Sequence, residues 1–274
     1  MEYNPARDET RVVARGRLAW LFLVVSLLVI GTFLLSPPWT VLSKTRLVGY
    51  AICHQIAERS FHIAGQQLPL CARCTGIYMG ALAGFALMAM WGRRRAASLP
   101  SLPITLTLVG FIIVLGVDGV NSYLTFFPSL PHLYEPQNWL RLTTGTLEGI
   151  ALSAFVYPIF NYSLWRDTLD SPALKNFKEL GLLVAVGGVI ILLTWLELPI
   201  LLYPLAILST LGVLTMLGAI NTVIVLALTR REGMARTWQQ AVLPAAMGLA
   251  LAFVEIGGID VLRALVTRRL GLPF

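Results

Sequence analysis

The chain has 274 residues, 57% apolar and 13% charged, with a mean hydropathy of +0.74 and a net charge of +7. Soluble domains are about a quarter charged, so this composition excludes a disordered chain, a disulfide-stapled miniprotein and an ordinary water-soluble enzyme. In so apolar a chain the cationic surplus points to loops facing anionic membrane lipid and not to nucleic acid.

A bilayer core about 30 Å thick needs roughly 20 apolar residues in a helix. In chain order, seven stretches approach that length: 18–36, 75–91, 104–123, 144–165, 180–198, 205–229 and 242–262. The first is too long for a signal-peptide core, and no small-x-small site precedes Pro37-Pro38, so it reads as a retained anchor. The expected fold is an all-α polytopic transmembrane bundle of about seven spans. Arg7, Arg11, Arg15 and Arg17 precede span one; Arg93, Arg94, Arg95, Arg166, Lys175, Lys178, Arg230, Arg231 and Arg236 follow spans two, four and six. The positive-inside rule therefore places the N-terminus in the cytoplasm of a prokaryote and the chain in its cytoplasmic membrane. The tail residues Arg263, Arg268 and Arg269 fall on the other side, an anomaly that a last helix lying along the interface or turning back would remove.

The predicted organisation is a basic cytoplasmic N-terminus (1–17), a four-span core (18–165) with an outer Cys/His segment (38–74), a cytoplasmic linker (166–178) and a three-span C-terminal part (179–274). Within the outer segment, Val48, Ile52, Ile56 and Ile63 predict an amphipathic surface helix, and Gly65 to Pro69 a turn toward span two. A second outer connection, 126–140, carries Pro128, Pro131 and Pro136 and is expected to form a stiff lid.

All three cysteines and two of the three histidines fall together: Cys53-His54, His62 and Cys71-x-x-Cys74. Two thiolates at C-x-x-C spacing can share one tetrahedral metal, zinc being favoured among transition metals, with Cys53 as a third ligand. His54, His62 and His132 compete for the fourth place, His54 leading. Thiol–disulfide chemistry is the rival. Cys71 and Cys74 open span two, where the helix dipole and Arg73 stabilise a thiolate, and Cys53 would relay. That arrangement looks like a quinone-coupled thiol oxidase, although those enzymes use two cysteine pairs. Buried acids form a second constellation. Asp118, Glu148, Glu197, Glu255 and Asp260 all lie toward the outer ends of their spans, and Arg141 is placed to neutralise Asp118 or Glu148. Spans two and four open alike, Thr75-Gly76-x-x-x-Gly80 and Thr144-Gly145-x-x-x-Gly149, each shortly after an arginine. The small residues predict close helix contact and the threonines predict helix caps. The alternative is a lipid phosphate or other anion at two helix N-termini.

The run Cys53-His54, Arg59-Ser60-Phe61, Gly65-x-Gln67-x-Pro69-x-Cys71-Ala72-Arg73-Cys74-Thr75-Gly76-x-Tyr78-x-Gly80 resembles the signature of a prokaryotic family of predicted membrane proteins catalogued as a domain of unknown function. Asp118-Gly119 and Asn138, Arg141 and Gly145 are similar to that family's second block. The resemblance implies a polytopic membrane protein and supplies no reaction. The leading functional expectation is thus a membrane protein with an outer-face Cys/His metal site in a structural or binding role. The alternatives are a quinone-linked thiol–disulfide oxidoreductase, and a transporter using Asp118, Glu148 and Glu255 or a subunit of a larger membrane complex. No phosphate-binding loop, dinucleotide fingerprint, metalloprotease helix or nucleophile elbow is present. Thr75 stands where haem attachment would need histidine.

Overall fold

In lipid the backbone must satisfy its own hydrogen bonds, which leaves helices as the spanning element for apolar runs of this length. A computed structural model describes residues 5–127 and 131–270, with side chains at 20–127 and 131–269. Pro128 and the side chains of Arg7, Arg11, Arg15 and Arg17 lie outside the described residues. The helices are α1 (Pro5–Leu35), α2 (Val41–Ile52), α3 (Ala72–Met90), α4 (Leu102–Leu124), α5 (Asn138–Leu164), α6 (Phe177–Trp195), α7 (Leu202–Thr229) and α8 (Trp238–Leu270). The fold is an all-α polytopic transmembrane bundle.

Each of the seven expected spans coincides with a helix. Five of them, α3, α4, α6, α7 and α8, are long and apolar enough to cross a bilayer. α1 contributes a shorter apolar stretch, Trp20–Leu35. α5 holds no stretch as apolar as those five, and its position explains why. Thr144, Thr146, Glu148, Ser153, Asn161 and Ser163 on this helix are all buried among its neighbours. Lipid therefore never meets them. α4 shows the complementary pattern: Val109, Ile113, Val117 and Val120 are exposed, as suits a lipid-facing stripe, while Asp118, Asn121 and Ser122 turn inward.

α3 and α5 form the central pair, and their matching small-residue motifs meet face to face. A Cβ on Gly76 or Gly80 would collide with the carbonyls of Leu142 or Thr146, and one on Gly145 or Gly149 with those of Arg73 or Ile77. Only glycine lets these backbones approach so closely. The threonines do not cap. Thr75 Oγ1 donates to the Leu70 carbonyl (3.2 Å) and Thr144 Oγ1 to that of Arg141 (3.2 Å). α7 packs against the same pair: Leu202 and Leu205 share a core with Phe61, Ile63, Leu68, Ala72, Met79 and Leu142.

The expected surface helix is shorter than its apolar spacing suggested. α2 ends at Ile52, and Ile56 and Ile63 belong to a 3-10 turn region and a hairpin of β1 (His62–Ile63) with β2 (Gln66–Gln67). Ile63 is buried in the core and not laid on a surface. At the opposite end of the bundle, β3 (Ala96–Ser98) pairs in parallel with β4 (Leu169–Pro172), so the stretch expected as a linker is ordered structure. Asn161 Nδ2 donates to the carbonyls of Arg93 (3.1 Å) and Ala96 (2.9 Å), and Arg93 pairs with Glu179 at 2.8 Å. These contacts tie the connections after α3 and α5 together, and Arg95 Nη2, donating to the Arg236 carbonyl (2.8 Å), adds the one after α7.

Candidate functional site

Cys53 follows the last residue of α2 in extended backbone, and Gln55 adopts a left-handed conformation (φ 52°) that reverses the chain. The hairpin then returns the chain through Leu68 and Leu70, both buried, to Cys71 at the N-cap of α3. Cys74 lies one turn further on. This path brings the three Sγ atoms within 4.8 Å of one another, with Cys53 and Cys71 buried and Cys74 half-buried. The Gln55 side chain locks the turn by donating to the carbonyls of Arg46 (3.0 Å) and Pro69 (2.7 Å), and Gln67 Nε2 donates to the Gln55 carbonyl (2.9 Å).

Two backbone N–H groups, of Gln55 (3.4 Å) and Cys71 (3.2 Å), donate to Cys53 Sγ. Together with thiol hydrogen bonds from Cys71 and Cys74, which act most strongly, they pull the Cys53 thiol well below its ordinary pKa. Cys71 moves up, chiefly because its S–H is held by Cys53. The sequence had pointed to Arg73 as the group that stabilises a thiolate. Arg73 instead turns to α4, and Cys53, not the C-x-x-C pair, is the sulfur best supplied with donors.

The histidines do not join the sulfurs. His54 is exposed, and its Nδ1 accepts the Ile56 N–H (3.0 Å). With Nδ1 accepting, the neutral ring carries its proton on Nε2. His62 is exposed on the hairpin, and His132 pairs with Glu135 at 2.8 Å. Arg263, which the sequence marked only as a misplaced cation, is part of the site. From α8 its Nη1 donates to the carbonyls of Tyr50 (2.6 Å) and Cys53 (2.7 Å), and its guanidinium stacks on Tyr50 at 4.1 Å. The basic tail thus clamps the cysteine loop.

Beside the sulfurs lies a polar cluster between the N-termini of α3 and α5 and the C-terminus of α4. Asp118, 1% exposed, is ion-paired with Arg73 and accepts from Tyr134 Oη (2.9 Å) and Thr144 Oγ1 (3.4 Å). Arg73 Nη2 also donates to Ser122 Oγ (3.1 Å), and Arg59 Nη2 donates to the Ser122 carbonyl (3.2 Å) while stacking on Phe126 at 4.0 Å. Burial, with the Asp118 hydrogen bond second, raises the Tyr134 phenol to about 12, which keeps it a donor. Arg141 was expected to neutralise Asp118 or Glu148 and is ion-paired with neither. Its Nη1 donates to Asn138 Oδ1 (2.9 Å), and Asn138 Nδ2 donates to the carbonyls of Glu58 (3.1 Å) and Ser60 (3.3 Å).

The remaining acids are apart from this cluster. Glu148 is buried further along α5 with Oε2 unpartnered. Glu255 accepts from Asn221 Nδ2 at 2.7 Å across α7 and α8. Glu197 is exposed, and Asp260 half-buried on α8. A cavity of about 820 Å³ opens at the opposite end around Leu226, Arg230, Met234 and Pro244, and holds none of the candidate residues. Gln55, Ser122, Tyr134 and Arg263 were not picked out from the sequence as site residues. Only Arg263 carried a signal, as an arginine on the side where loops should be poor in them.

Residues 53–155 match a family described as "Predicted membrane protein (DUF2085)". An uncharacterized protein of Methanocaldococcus jannaschii is 32% identical over 115 residues, which cover 42% of this chain and 67% of the relative. An uncharacterized protein of Methanothermobacter thermautotrophicus is 35% identical over 102 residues, covering 37% of this chain and 81% of the relative. The chain belongs to this family of membrane proteins. The match begins at Cys53, includes the three cysteines and the whole Arg59, Arg73, Asp118, Asn138 and Arg141 cluster, and ends within α5. α6, α7, α8 and Arg263 lie beyond it. No solved structure matches the chain.

Proposed function

We propose that this protein is an integral membrane protein of a prokaryotic cytoplasmic membrane with a three-cysteine metal centre, zinc favoured, on its extracytoplasmic face. The convergence of Cys53, Cys71 and Cys74, with their sulfurs within 4.8 Å of one another, carries the reading. A tetrahedral zinc with Zn–S bonds of about 2.3 Å spaces its sulfurs about 3.8 Å apart, a small adjustment from that arrangement. The N–H donors on Cys53 suit a metal-bound thiolate. Such an ion would join α2 to the N-terminus of α3. With His54 engaged by Ile56, the fourth position falls to water or an incoming ligand, the mark of a binding centre.

Orientation is supported by the opposite end of the bundle, where Arg93, Arg94, Arg95, Arg166, Arg230, Arg231 and Arg236 gather, as cytoplasmic loops should. At the cysteine end, Arg59, Arg73, Arg141 and Arg263 are engaged in hydrogen bonds with the protein. A topology reporter fused after Lys175 is expected to read cytoplasmic, and one inserted at His132 extracytoplasmic. The reverse pair of readings would overturn the orientation.

Elemental analysis of protein purified without chelator tests the metal. About one zinc per chain is expected, and Cys53→Ser, Cys71→Ser or Cys74→Ser should each abolish stoichiometric binding. Wild-type protein without stoichiometric metal would remove the reading. The same donors on Cys53 favour a second one, in which its thiolate exchanges with a Cys71–Cys74 disulfide. Formation of that disulfide would pass two electrons and two protons from the thiols to a membrane quinone. Thiol trapping in whole cells separates the two: a trapping pattern that follows quinone redox state supports the oxidoreductase, and thiols masked at all times support the metal.

A further inference from the structure

We infer that the cluster of Arg59, Arg73 and Arg141 is a binding site for a phosphate-type oxyanion. Three guanidiniums gather here, Arg59 and Arg73 both on Ser122 and Arg141 joined through Asn138 to the carbonyls of Glu58 and Ser60, and Asp118 is the one acid ion-paired with any of them among the described residues. Glu58, the remaining carboxylate near Arg59, is exposed. The cluster therefore holds a surplus of positive charge, with Arg59 and Arg73 half-buried and Arg141 buried, and a buried cation is unfavourable unless a counter-charge completes its surroundings. Arg141 is 6% exposed, makes a single side-chain hydrogen bond, to Asn138, and its Nε is buried with no partner. A buried N–H of a cation left without an acceptor is a costly feature, and here it marks where an acceptor belongs.

The surroundings fit an anion on the same grounds. The N-caps of α3 and α5, Cys71 and Gln137, accept no hydrogen bond from the first-turn N–H groups through their side chains. Close packing of Gly76 and Gly145 against the partner backbones sets these two helix starts side by side. Their dipoles add positive potential at the point where the arginines gather. The geometry is also held in place. Arg59 and Arg73 both grip Ser122, one at its carbonyl and one at its hydroxyl, and Asn138 links Arg141 to the backbone on either side of Arg59. Phe126 supports the face of Arg59, and of the guanidinium's nitrogens Nη2 is taken by the Ser122 carbonyl (3.2 Å) and Thr125 Oγ1 (3.5 Å). Guanidinium forks match phosphate oxygens in pairs. Placed at the ends of spanning helices, the site lies where a lipid headgroup or a free phosphate could reach it.

This inference does not depend on the metal, and the two are read separately on one preparation of the full chain. Thermal unfolding is followed while inorganic phosphate is titrated against sodium chloride of matched ionic strength, and in phosphatidylcholine nanodiscs with and without phosphatidic acid. Saturable stabilisation by phosphate assigns a free anion, and stabilisation by phosphatidic acid alone assigns a headgroup. Arg59→Gln, at a half-buried position, is expected to weaken either response about tenfold or more, and Arg141→Gln likewise, with Arg141→Lys retaining part of it. Should Arg141→Gln fail to fold, Arg59→Gln still decides. Absence of a saturable response in both arms, or a response unchanged by Arg59→Gln, overturns the inference. Metal content measured on the same samples shows whether the metal reading stands or falls independently.

Discussion

Asp118→Asn is expected to destabilise the folded protein by about 3–5 kcal/mol, the usual cost of removing one partner from a buried ion pair. The carboxylate is the acceptor for Arg73, Tyr134 and Thr144 together, and its loss leaves Arg73 facing Arg59 and Arg141 without a counter-charge. Removing the arginine's charge as well should recover much of the loss. The double variant Asp118→Asn, Arg73→Gln is therefore expected to be more stable than the sum of the single changes, by about 1–3 kcal/mol. Detergent-mediated unfolding of the four proteins measures this. Additive single changes, or an Asp118→Asn cost under about 1 kcal/mol, would show that the pair is not what holds α3 to α4.

The second large effect lies at the crossing of α3 and α5. Gly149→Val is expected to prevent accumulation of folded protein, because its Cβ would stand well inside contact distance of the Ile77 carbonyl, and backbone cannot move aside as a side chain can. Gly80→Val should act alike through the Thr146 carbonyl. Both changes would also separate Arg73 and the C-x-x-C pair from α5, on which Arg141 and Thr144 are carried. Gly110→Ala is the contrast: nothing lies within 4 Å of its Cβ position on α4, and replacing a helical glycine with alanine there should be neutral or stabilising by up to about 1 kcal/mol. Expression and monodispersity of the three variants in detergent read the result. Folded Gly149→Val protein at wild-type levels would mean that the two helices are not in backbone contact.

The membrane-bundle architecture was legible because lipid imposes a simple length and polarity requirement on each span, and all seven apolar stretches became helices. The cysteine convergence could be anticipated from sequence clustering, since a short segment confines its ends to a small volume. The choice of partners was not legible. Arg141 lies on the same helix as Glu148 and was the nearer candidate for an acid in sequence, yet it serves Asn138, while Arg73 reaches across to Asp118. His54 adjoins Cys53 in the chain but points to solvent, because extended backbone at Cys53 sends successive side chains to opposite sides.

Hydropathy alone placed the protein among membrane helical bundles and located seven apolar stretches that are helices, while motif and spacing supplied the family resemblance and the stretch in which reactive side chains gather. These depend on local polarity and on short separations along the chain. Which cation meets which acid, that Cys53 receives the backbone donors, and that Arg263 returns to hold the cysteine loop across 210 positions were decided only by tertiary structure. Such contacts join residues on different helices, and the relative rotation and depth of those helices follow from packing at Gly76, Gly80, Gly145 and Gly149, not from any pattern within one helix.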